Sequence, residues 1–392
     1  MESDLGWTWL LLLLPLVFGL GWFASRLDLR QLREENRRAP RAYFKGLNYL
    51  LNEQQDQAID AFIEAVQKDP DTTELHFALG NLFRRRGEYQ RAVRVHEHLL
   101  SRADLSRADR ERAQHDLALD YLKAGLLDRA EDAFRKLEGT AYTEQARLAL
   151  LGLFERAREW QQAGVIARQL DDSGPGTGAG LFASRAAHYL CEQAAALDDA
   201  QATALLREAM AMAPGAARAP IELARRCMAS ARHAQALELL LQCCQQVPAA
   251  VPLAAPLLVQ CAQAIHEPRV TQQVQALLQG FDARQPSIDV TEALARLDAA
   301  AGLALPRYVA HLQREPSLTL AARWLAQAQA HVGAEAADSP ARAAVQQAIE
   351  HAAKPLQRYR CAACGFEARQ HFWHCPGCQA WDSYPPRRVE EL

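Results

Sequence analysis

The chain has 392 residues, of which 49% are hydrophobic and 23% are charged, and its formal net charge is −3. This length allows two or three domains with a substantial buried core. Because the overall charge is slightly negative, the composition gives no reason to expect a general nucleic-acid binder. Abundant Ala, Leu, Gln, Arg and Glu are good helix formers and favour an all-α fold.

The first recognisable element is an apolar N-terminal segment. Between Asp4 and Arg26 lie twenty-one uncharged residues, which as a helix would cross about 30 Å of hydrocarbon. A cleaved signal peptide would begin with basic residues, whereas Glu2 and Asp4 are acidic. We therefore predict a transmembrane anchor over residues 1–25.

A basic linker over residues 26–38 follows the anchor. Six arginines lie in this linker and just beyond it: Arg26, Arg30, Arg33, Arg37, Arg38 and Arg41. By the positive-inside rule such residues stay in the cytoplasm, so the bulk of the chain is predicted on the cytoplasmic side. The arginines either touch anionic lipid headgroups or form a plain charged linker, and both interpretations stay open.

A repeat of 34 residues begins near Ala39. Gly46 and Gly80 are 34 residues apart, as are Ala58 and Ala92. With Phe62 at position 24 of the first unit, the spacing resembles the tetratricopeptide pattern. Small residues at positions 8 and 20 let the two helices of a hairpin cross closely, and the aromatic residue fills the gap beneath them. We expect a short loop insertion at Ser101–Asp109.

The repeat signature weakens further along the chain. Asp171–Gly180 is predicted to be a loop between helices because it is rich in Gly and Asp. The period then returns, since Pro214 and Pro248 are 34 residues apart. Six units can be counted, and two or three more lie in the degenerate remainder. We therefore predict an all-α tetratricopeptide-repeat solenoid over residues 39–350.

Such arrays usually bind peptides or proteins on a concave groove. Positions 5, 9 and 12 of each unit would face this groove. In the first three units they include Tyr43, Leu47, Leu50, Phe77, Asn81, Arg84, His115 and Leu119. Asn81 and Arg84 have side chains that can hydrogen-bond a bound backbone or carboxylate. The alternative is that these residues form an ordinary solvated face.

Four of the nine cysteines fall within eighteen residues near the C-terminus: Cys361, Cys364, Cys375 and Cys378. Two C-x-x-C pairs can direct four thiolates at one ion, so we predict a tetrathiolate site for one zinc or iron ion, with zinc favoured. The neighbouring His371 and His374 are expected to flank the site. The tight tetrad and the odd total of cysteines suggest a reducing compartment.

The metal module is predicted to span residues 357–392, and a segment this short needs metal to fold. Gly365, directly after the first pair, suits a left-handed turn. The expected small core around the ion is Phe366, Phe372, Trp373, Trp381 and Tyr384. The module carries five Arg against four Asp and Glu, so no nucleic-acid partner is expected.

Motifs for catalysis are not found in the sequence. It contains no P-loop, no Gly-x-Ser-x-Gly, no His-Glu-x-x-His and no dinucleotide fingerprint. A complete tetrathiolate also leaves no open coordination position for metal-assisted hydrolysis. We therefore predict a protein that is not an enzyme.

The order of these parts resembles the lipopolysaccharide assembly protein B family of Gram-negative bacteria. The tail YRCAACGFEARQHFWHCPGCQAW (residues 359–381) carries the most specific likeness, and DYLKAGLLDRAEDAF (Asp120–Phe134) adds to it. The resemblance implies metal binding by the four cysteines through a rubredoxin-like tail that packs back on the repeats.

The same resemblance implies a single-pass inner-membrane adaptor with its bulk on the cytoplasmic side. Its implied partners are a membrane AAA+ protease, the lipid A pathway deacetylase that the protease degrades, and other lipopolysaccharide assembly proteins. The anchor would contact membrane lipid, and a homo-oligomer is possible. Two alternatives remain for the metal module, namely rubredoxin-like electron transfer and thiol redox sensing.

Overall fold

The computed structural model describes residues 44–68, 72–172, 180, 182–299, 302–331 and 340–392, together with Phe18. The predicted anchor (Phe18 apart), the basic linker and Tyr43 therefore lie outside the described residues. The chain divides into two compact units, Met1–Leu153 and Phe154–Leu392. Each unit is described by itself.

The first unit is a series of short helices that pack in chain order. Its helices are α1 (44–51), α2 (Gln55–Lys68), α3 (Thr73–Arg86), α4 (Tyr89–Ser101), α5 (Arg107–Lys123), α6 (Leu127–Arg135) and the part of α7 (Thr143–Ala157) up to Leu153. From α2 to α6 each helix contacts the next one, and α3 also contacts α5. This neighbour pattern is that of stacked helical hairpins.

Glycines bring the paired helices of the first unit close together. A Cβ on Gly46 would lie 2.9 Å from the Phe62 ring, and one on Gly80 would lie 2.5 Å from Nε2 of His96. The predicted close crossing at position 8 is therefore present. In the second repeat the ring at position 24 is His96, which is completely buried.

The predicted loop at Ser101–Asp109 is shorter than expected. Helix α4 ends at Ser101 and α5 begins at Arg107. The Ser106 side chain accepts a hydrogen bond from the Asp109 backbone N–H, so Ser106 caps α5 and draws Asp109 into its first turn.

The second unit is likewise a series of helices that pack in chain order. Its helices are the end of α7, α8 (Trp160–Asp172), α9 (Ala183–Ala195), α10 (Asp199–Met212), α11 (Arg218–Ala229), α12 (His233–Gln246), α13 (Val251–Ile265), α14 (Pro268–Arg284), α15 (Ile288–Asp298), α16 (Ala304–Arg314), α17 (Leu318–His331) and α18 (Pro340–Leu356). From α8 onward each helix contacts its successor, including the region where the sequence period is degenerate. Contacts between α9 and α11, α11 and α13, and α13 and α15 place these four helices in one layer.

Pro214 and Pro248 follow the last residues of α10 and α12, so both end a helix as predicted. Helix α8 extends to Asp172, two residues into the predicted loop, and residues 173–179 are outside the described part.

Within the described part of the chain, one stretch is long and apolar enough to cross a membrane. It is Pro248–Ile265, with a mean hydropathy of 1.4. Half of this stretch is buried inside the second unit, where Ala254, Leu258 and Cys261 belong to the main hydrophobic core. Its apolar character therefore fits a core helix.

A small module of little regular structure ends the chain. Strands β1 (Tyr359–Arg360) and β2 (Glu367–Ala368) pair antiparallel, with Tyr359 opposite Ala368. A single bridge joins His374 to Trp381, and a 3-10 turn covers Val389–Glu391. The fold is therefore an all-α array of tetratricopeptide-type hairpins with a C-terminal cysteine module, as the sequence predicts.

Candidate metal centre

The two C-x-x-C pairs come together in the C-terminal module. The turn between β1 and β2 holds Cys361 and Cys364, and the loop closed by the His374–Trp381 bridge holds Cys375 and Cys378. All four sulfur atoms lie within 4.8 Å of one another.

The spacing of the sulfurs suits one ion. The Sγ atoms of Cys361 and Cys378 are 3.8 Å apart, and those of Cys364 and Cys375 are 3.7 Å apart. For metal–sulfur bonds of about 2.3 Å, the sulfurs of a tetrahedron are separated by roughly 3.8 Å. The four cysteines thus form a tetrathiolate site of the size of a single metal ion.

Matching backbone hydrogen bonds shape the two knuckles. The N–H of Gly365 donates to the Cys361 carbonyl, and the N–H of Gln379 donates to the Cys375 carbonyl, both at 2.9 Å. Gly365 is left-handed, with φ of +78°, as predicted. Gln379 takes the same conformation with φ of +60°, which costs a residue with a side chain about 1–2 kcal/mol. A glycine is therefore not required at the second knuckle.

The knuckles favour thiolates at two of the sulfurs. Burial raises the pKa of the Cys361 thiol, but a hydrogen bond with Ser383 Oγ (3.3 Å) and backbone N–H groups of the knuckle outweigh it and lower the pKa to about 6. Burial likewise raises the pKa of Cys375, and backbone N–H groups of its own knuckle lower it below the ordinary value. Metal ligation requires the deprotonated form.

The two neighbouring histidines make other contacts. His371 Nε2 lies 3.0 Å from the Tyr384 carbonyl oxygen. The ring of His374 stacks on Trp381 with 4.2 Å between ring centroids. Burial lowers the pKa of both imidazoles. Neither belongs to the cluster of four sulfurs.

The predicted small core of the module is only partly correct. Tyr384 is buried beside Cys361 and Cys375, with Phe372 packed against them. Phe366, however, is 44% exposed, and the buried Tyr359 takes part instead. The expectation assumed an isolated module, whereas its aromatic residues also contact the helices. Trp373, for example, packs against the core of the second unit.

One edge of the module is held on helices α7 and α9 by Trp381 and Asp382. The Trp381 indole N–H donates to Glu155 Oε1 at 2.9 Å, and its ring stacks on His188 at 4.9 Å. Asp382 Oδ2 lies 2.8 Å from His188 Nε2. The resemblance implied that the tail packs back on the repeats, but it did not indicate which residues meet, because Trp381 and Glu155 are 226 residues apart.

The other edge is held on α15 and α17. The Arg388 guanidinium forms two hydrogen bonds with the Asp289 carboxylate, at 2.6 and 3.0 Å, and the Tyr359 hydroxyl lies 3.2 Å from the same carboxylate. The Glu391 carboxylate accepts the backbone N–H of Ile288 at 2.7 Å. The Glu390 carboxylate accepts the Ser317 hydroxyl at 2.9 Å and the backbone N–H of Leu318. The C-terminal turn therefore caps two helices of the array.

The predicted groove residues of the first unit have mostly internal partners. Leu47 and Leu50 pack on the core that residues of α2, α3 and α4 form. Arg84 pairs with Asp116 and Asp120, each at 2.9 Å, and also donates to the Asn81 side chain. Asn81 and Arg84 are therefore already partnered within the unit.

Phe77 was predicted in the groove, and this is wrong. It is completely buried in a cluster with Leu99, Leu105 and Ala113. The position faces the next hairpin, which the loop after α4 brings over it. His115 stacks on Tyr142 at 4.7 Å, and Leu119 is half-buried.

Comparison with known proteins places these features in a family context. Residues 359–385 match a family described as a rubredoxin metal binding domain. Lipopolysaccharide assembly protein B of Escherichia coli strain K12 is 34% identical over 97% of this chain and 98% of that protein. The Haemophilus influenzae protein of the same name is 26% identical, with the same coverage.

Solved structures with similar helical arrays are more distant. A tetratricopeptide repeat protein from Parabacteroides merdae gives a TM-score of 0.34 at 13% identity, over 66% of this chain and 98% of that chain. Yeast Tom70 gives a TM-score of 0.32 at 11% identity, over 82% of this chain and 85% of that chain. By its relation to curated proteins over nearly its whole length, the chain belongs to the lipopolysaccharide assembly protein B family.

Proposed function

We propose that this chain is a non-catalytic adaptor that regulates lipopolysaccharide biosynthesis. The observation that carries the proposal is the match over 97% of the chain to proteins named for lipopolysaccharide assembly. Stacked helical hairpins are binding surfaces for proteins. In this scheme the array presents the lipid A pathway deacetylase to a membrane AAA+ protease, with other lipopolysaccharide assembly proteins as further partners.

The four cysteines bind one zinc ion that holds the C-terminal module together. Sulfur spacing and the low pKa of Cys361 support a tetrathiolate. The module resembles electron-transfer rubredoxins, but the ten residues between its two C-x-x-C pairs are fewer than in those proteins. Zinc is therefore favoured over iron. Elemental analysis of anaerobically purified protein should find one zinc per chain and no visible thiolate-to-iron absorption. One iron per chain would favour the electron-transfer alternative.

The anchor over residues 1–25 keeps the array beside the membrane-bound protease. Deleting Leu5–Ala24 should abolish function in cells while leaving the soluble array folded by circular dichroism. If the soluble chain fully complements a null strain, placement at the membrane is not part of the mechanism.

A crosslinking pull-down tests the adaptor role directly. The intact chain should recover both the protease and the deacetylase, and a Cys361→Ser, Cys364→Ser variant should recover much less. A Cys227→Ala, Cys261→Ala variant, which alters two cysteines of the helical core, is the matched control and should behave as the intact chain. Equal recovery by all three proteins would contradict a role for the metal module.

Thiol redox sensing is a second candidate, because Cys364 and Cys378 are exposed while Cys361 and Cys375 are buried. An oxidant can reach the exposed pair, and oxidised thiolates release zinc. This candidate predicts zinc release under mild peroxide together with loss of client recovery. Zinc that stays bound under peroxide would remove it.

A further inference from the structure

Two adjoining cavities lie where the C-terminal module meets the helices of the second unit. The first, of 330 Å³, opens between the module and helices α11 and α13. The second, of 830 Å³, opens between the module and the end of α18. Arg369 and Arg388 line both cavities, so the two share a boundary. None of these residues belongs to the sulfur cluster.

The charges that line the cavities are strongly unbalanced. Asp289 is the one carboxylate among the lining residues, against five cations: Arg225, Lys354, Arg358, Arg369 and Arg388. The bidentate pair with Arg388 already neutralises Asp289. Arg358 and Arg360 both form an ion pair with Glu367, with nitrogen–oxygen distances of 3.6 and 2.8 Å.

Three cations are left over. Among the described residues, Arg225, Arg369 and Lys354 have no ion pair, and all three are exposed. Arg225 and Arg369 both line the first cavity, whereas Lys354 lines the second. Arg225 and Arg369 line the same cavity, and like charges that share a cavity repel one another until an anion joins them. The chain as a whole carries a net charge of −3, which makes this local excess of positive charge a feature of the site.

One wall of the first cavity is apolar and offers little hydrogen bonding. It consists of Pro252, Leu253, Pro256 and Leu257 on one face of α13, with Trp373 of the module. Proline has no N–H, and most of the other backbone N–H groups of a helix interior are bonded within the helix. An extended peptide would find few backbone partners on this wall, whereas a hydrocarbon group would pack well against it.

We infer that the first cavity binds a phosphate-bearing amphiphile, with its phosphate between Arg225 and Arg369 and its apolar part against α13. Lys354 lines the adjoining cavity and adds positive charge there. A guanidinium makes two parallel hydrogen bonds with phosphate oxygens, and a dianion matches several cations better than one carboxylate does. The ligand is either a membrane phospholipid headgroup or a soluble phosphorylated compound, because both present the same chemistry. This site does not depend on the adaptor role.

The test uses the full-length chain with zinc bound, in an uncharged detergent. The probe is dihexanoyl phosphatidic acid, and dihexanoyl phosphatidylcholine serves as the zwitterionic match with the same acyl chains. Isothermal calorimetry should show saturable binding of the phosphatidate that weakens with added salt. An Arg225→Gln, Arg369→Gln variant should bind at least tenfold more weakly. Arg269→Gln alters an exposed arginine outside the cavities and should bind as the unaltered chain does.

A structural readout separates the site from general charge attraction. Arg369 belongs to the module and Arg225 to α11, so a ligand held between them should raise the unfolding midpoint of the unaltered chain but not of the double variant. Displacement of the phosphatidate by inorganic phosphate at an equal concentration would show that the phosphate alone suffices, which would identify a soluble phosphorylated ligand. Binding only to phosphatidylcholine vesicles that contain phosphatidate would identify a membrane lipid. The inference is overturned if the double variant binds phosphatidate normally, or if an apolar peptide with a free carboxylate binds more tightly.

Discussion

Gly80 lies directly against the imidazole of His96, and this contact shows how closely the second hairpin is packed. The ring is completely buried, and its Nδ1 lies 2.5 Å from Oδ2 of the equally buried Asp120. Asp120 in turn accepts a hydrogen bond from Arg84. The repeat spacing predicts that the helices cross closely at Gly80. It does not predict that His96 pairs with a carboxylate on the next hairpin.

Substituting Gly80 by Ala tests this packing. The new Cβ would lie about 2.5 Å from the ring, so His96 must move and strain its bond to Asp120. We expect a loss of about 1–3 kcal/mol in the free energy of unfolding, measured in urea. Gly152→Ala, in helix α7 of the same unit, has open space at the new Cβ and should change stability by less than about 1 kcal/mol. Similar effects of the two substitutions would contradict the close approach.

His311 should make the free energy of unfolding depend on pH. Burial, against a weaker opposing effect of Asp282, lowers the pKa of its imidazole below 6.5, and Nδ1 lies 2.8 Å from Thr291 Oγ1. Because the unfolded chain then binds the proton more readily, stability is fully present above about pH 6.5 and is lost as the pH falls from there through the folded-state pKa.

The comparison is between the unaltered chain and His311→Gln. Unfolding free energies measured from about pH 7.5 to pH 5 should fall more steeply for the unaltered chain, since glutamine does not titrate. Parallel curves would show that His311 has the same pKa in the folded and unfolded states.

At the scale of elements, the C-terminal turn serves as a cap for helices that lie far away in the sequence. The N-terminus of α17 carries unpaired N–H groups and a partial positive charge, and the Glu390 carboxylate meets both. Such capping is predictable from sequence when the capping residue is adjacent to the helix, as for Ser106. It is not predictable across 72 residues, the separation between Glu390 and Leu318.

Removing this cap should loosen the module. Glu390→Ala is expected to lower the unfolding free energy by about 1–2 kcal/mol and to speed proteolysis of the C-terminal turn. Glu315→Ala should have little effect, because it removes an exposed carboxylate just before α17 that has no ion pair with any residue the structure describes. Equal proteolysis of both variants would mean that the Glu390 contact contributes nothing to docking.

Across the whole molecule, the sequence period predicts the hairpins wherever the glycine, alanine and proline positions recur. It fails beyond about residue 250, although α13 to α17 pack in the same order. There the hairpins are maintained by a continuous apolar face, as in Ala254, Leu258 and Val259 of α13, which any helix-period pattern can supply. The clustering of the four cysteines into one site could be predicted because the spacing of the ligands is local in the sequence. The docking of the module could not, because it depends on contacts between distant residues.

Metal removal should therefore affect more than the module itself. Chelation is expected to unfold residues 357–392 and to release the caps on α15 and α17, which lowers the unfolding midpoint of the second unit. Limited proteolysis with mass spectrometry should show new cleavage in the module, which added zinc reverses. An unchanged cleavage pattern after complete metal loss would contradict the dependence of docking on the ion.

The unequal exposure of the four cysteines bears on how fast an ion would exchange. Cys361 and Cys375 are buried, whereas Cys364 and Cys378 are exposed to the solvent. An incoming chelator can displace the outer pair while the inner pair still holds the ion, so a ternary intermediate is accessible. Exchange should then accelerate with chelator concentration instead of levelling off at a spontaneous dissociation rate, and a metal-transfer protein would have one open side from which to load or empty the centre.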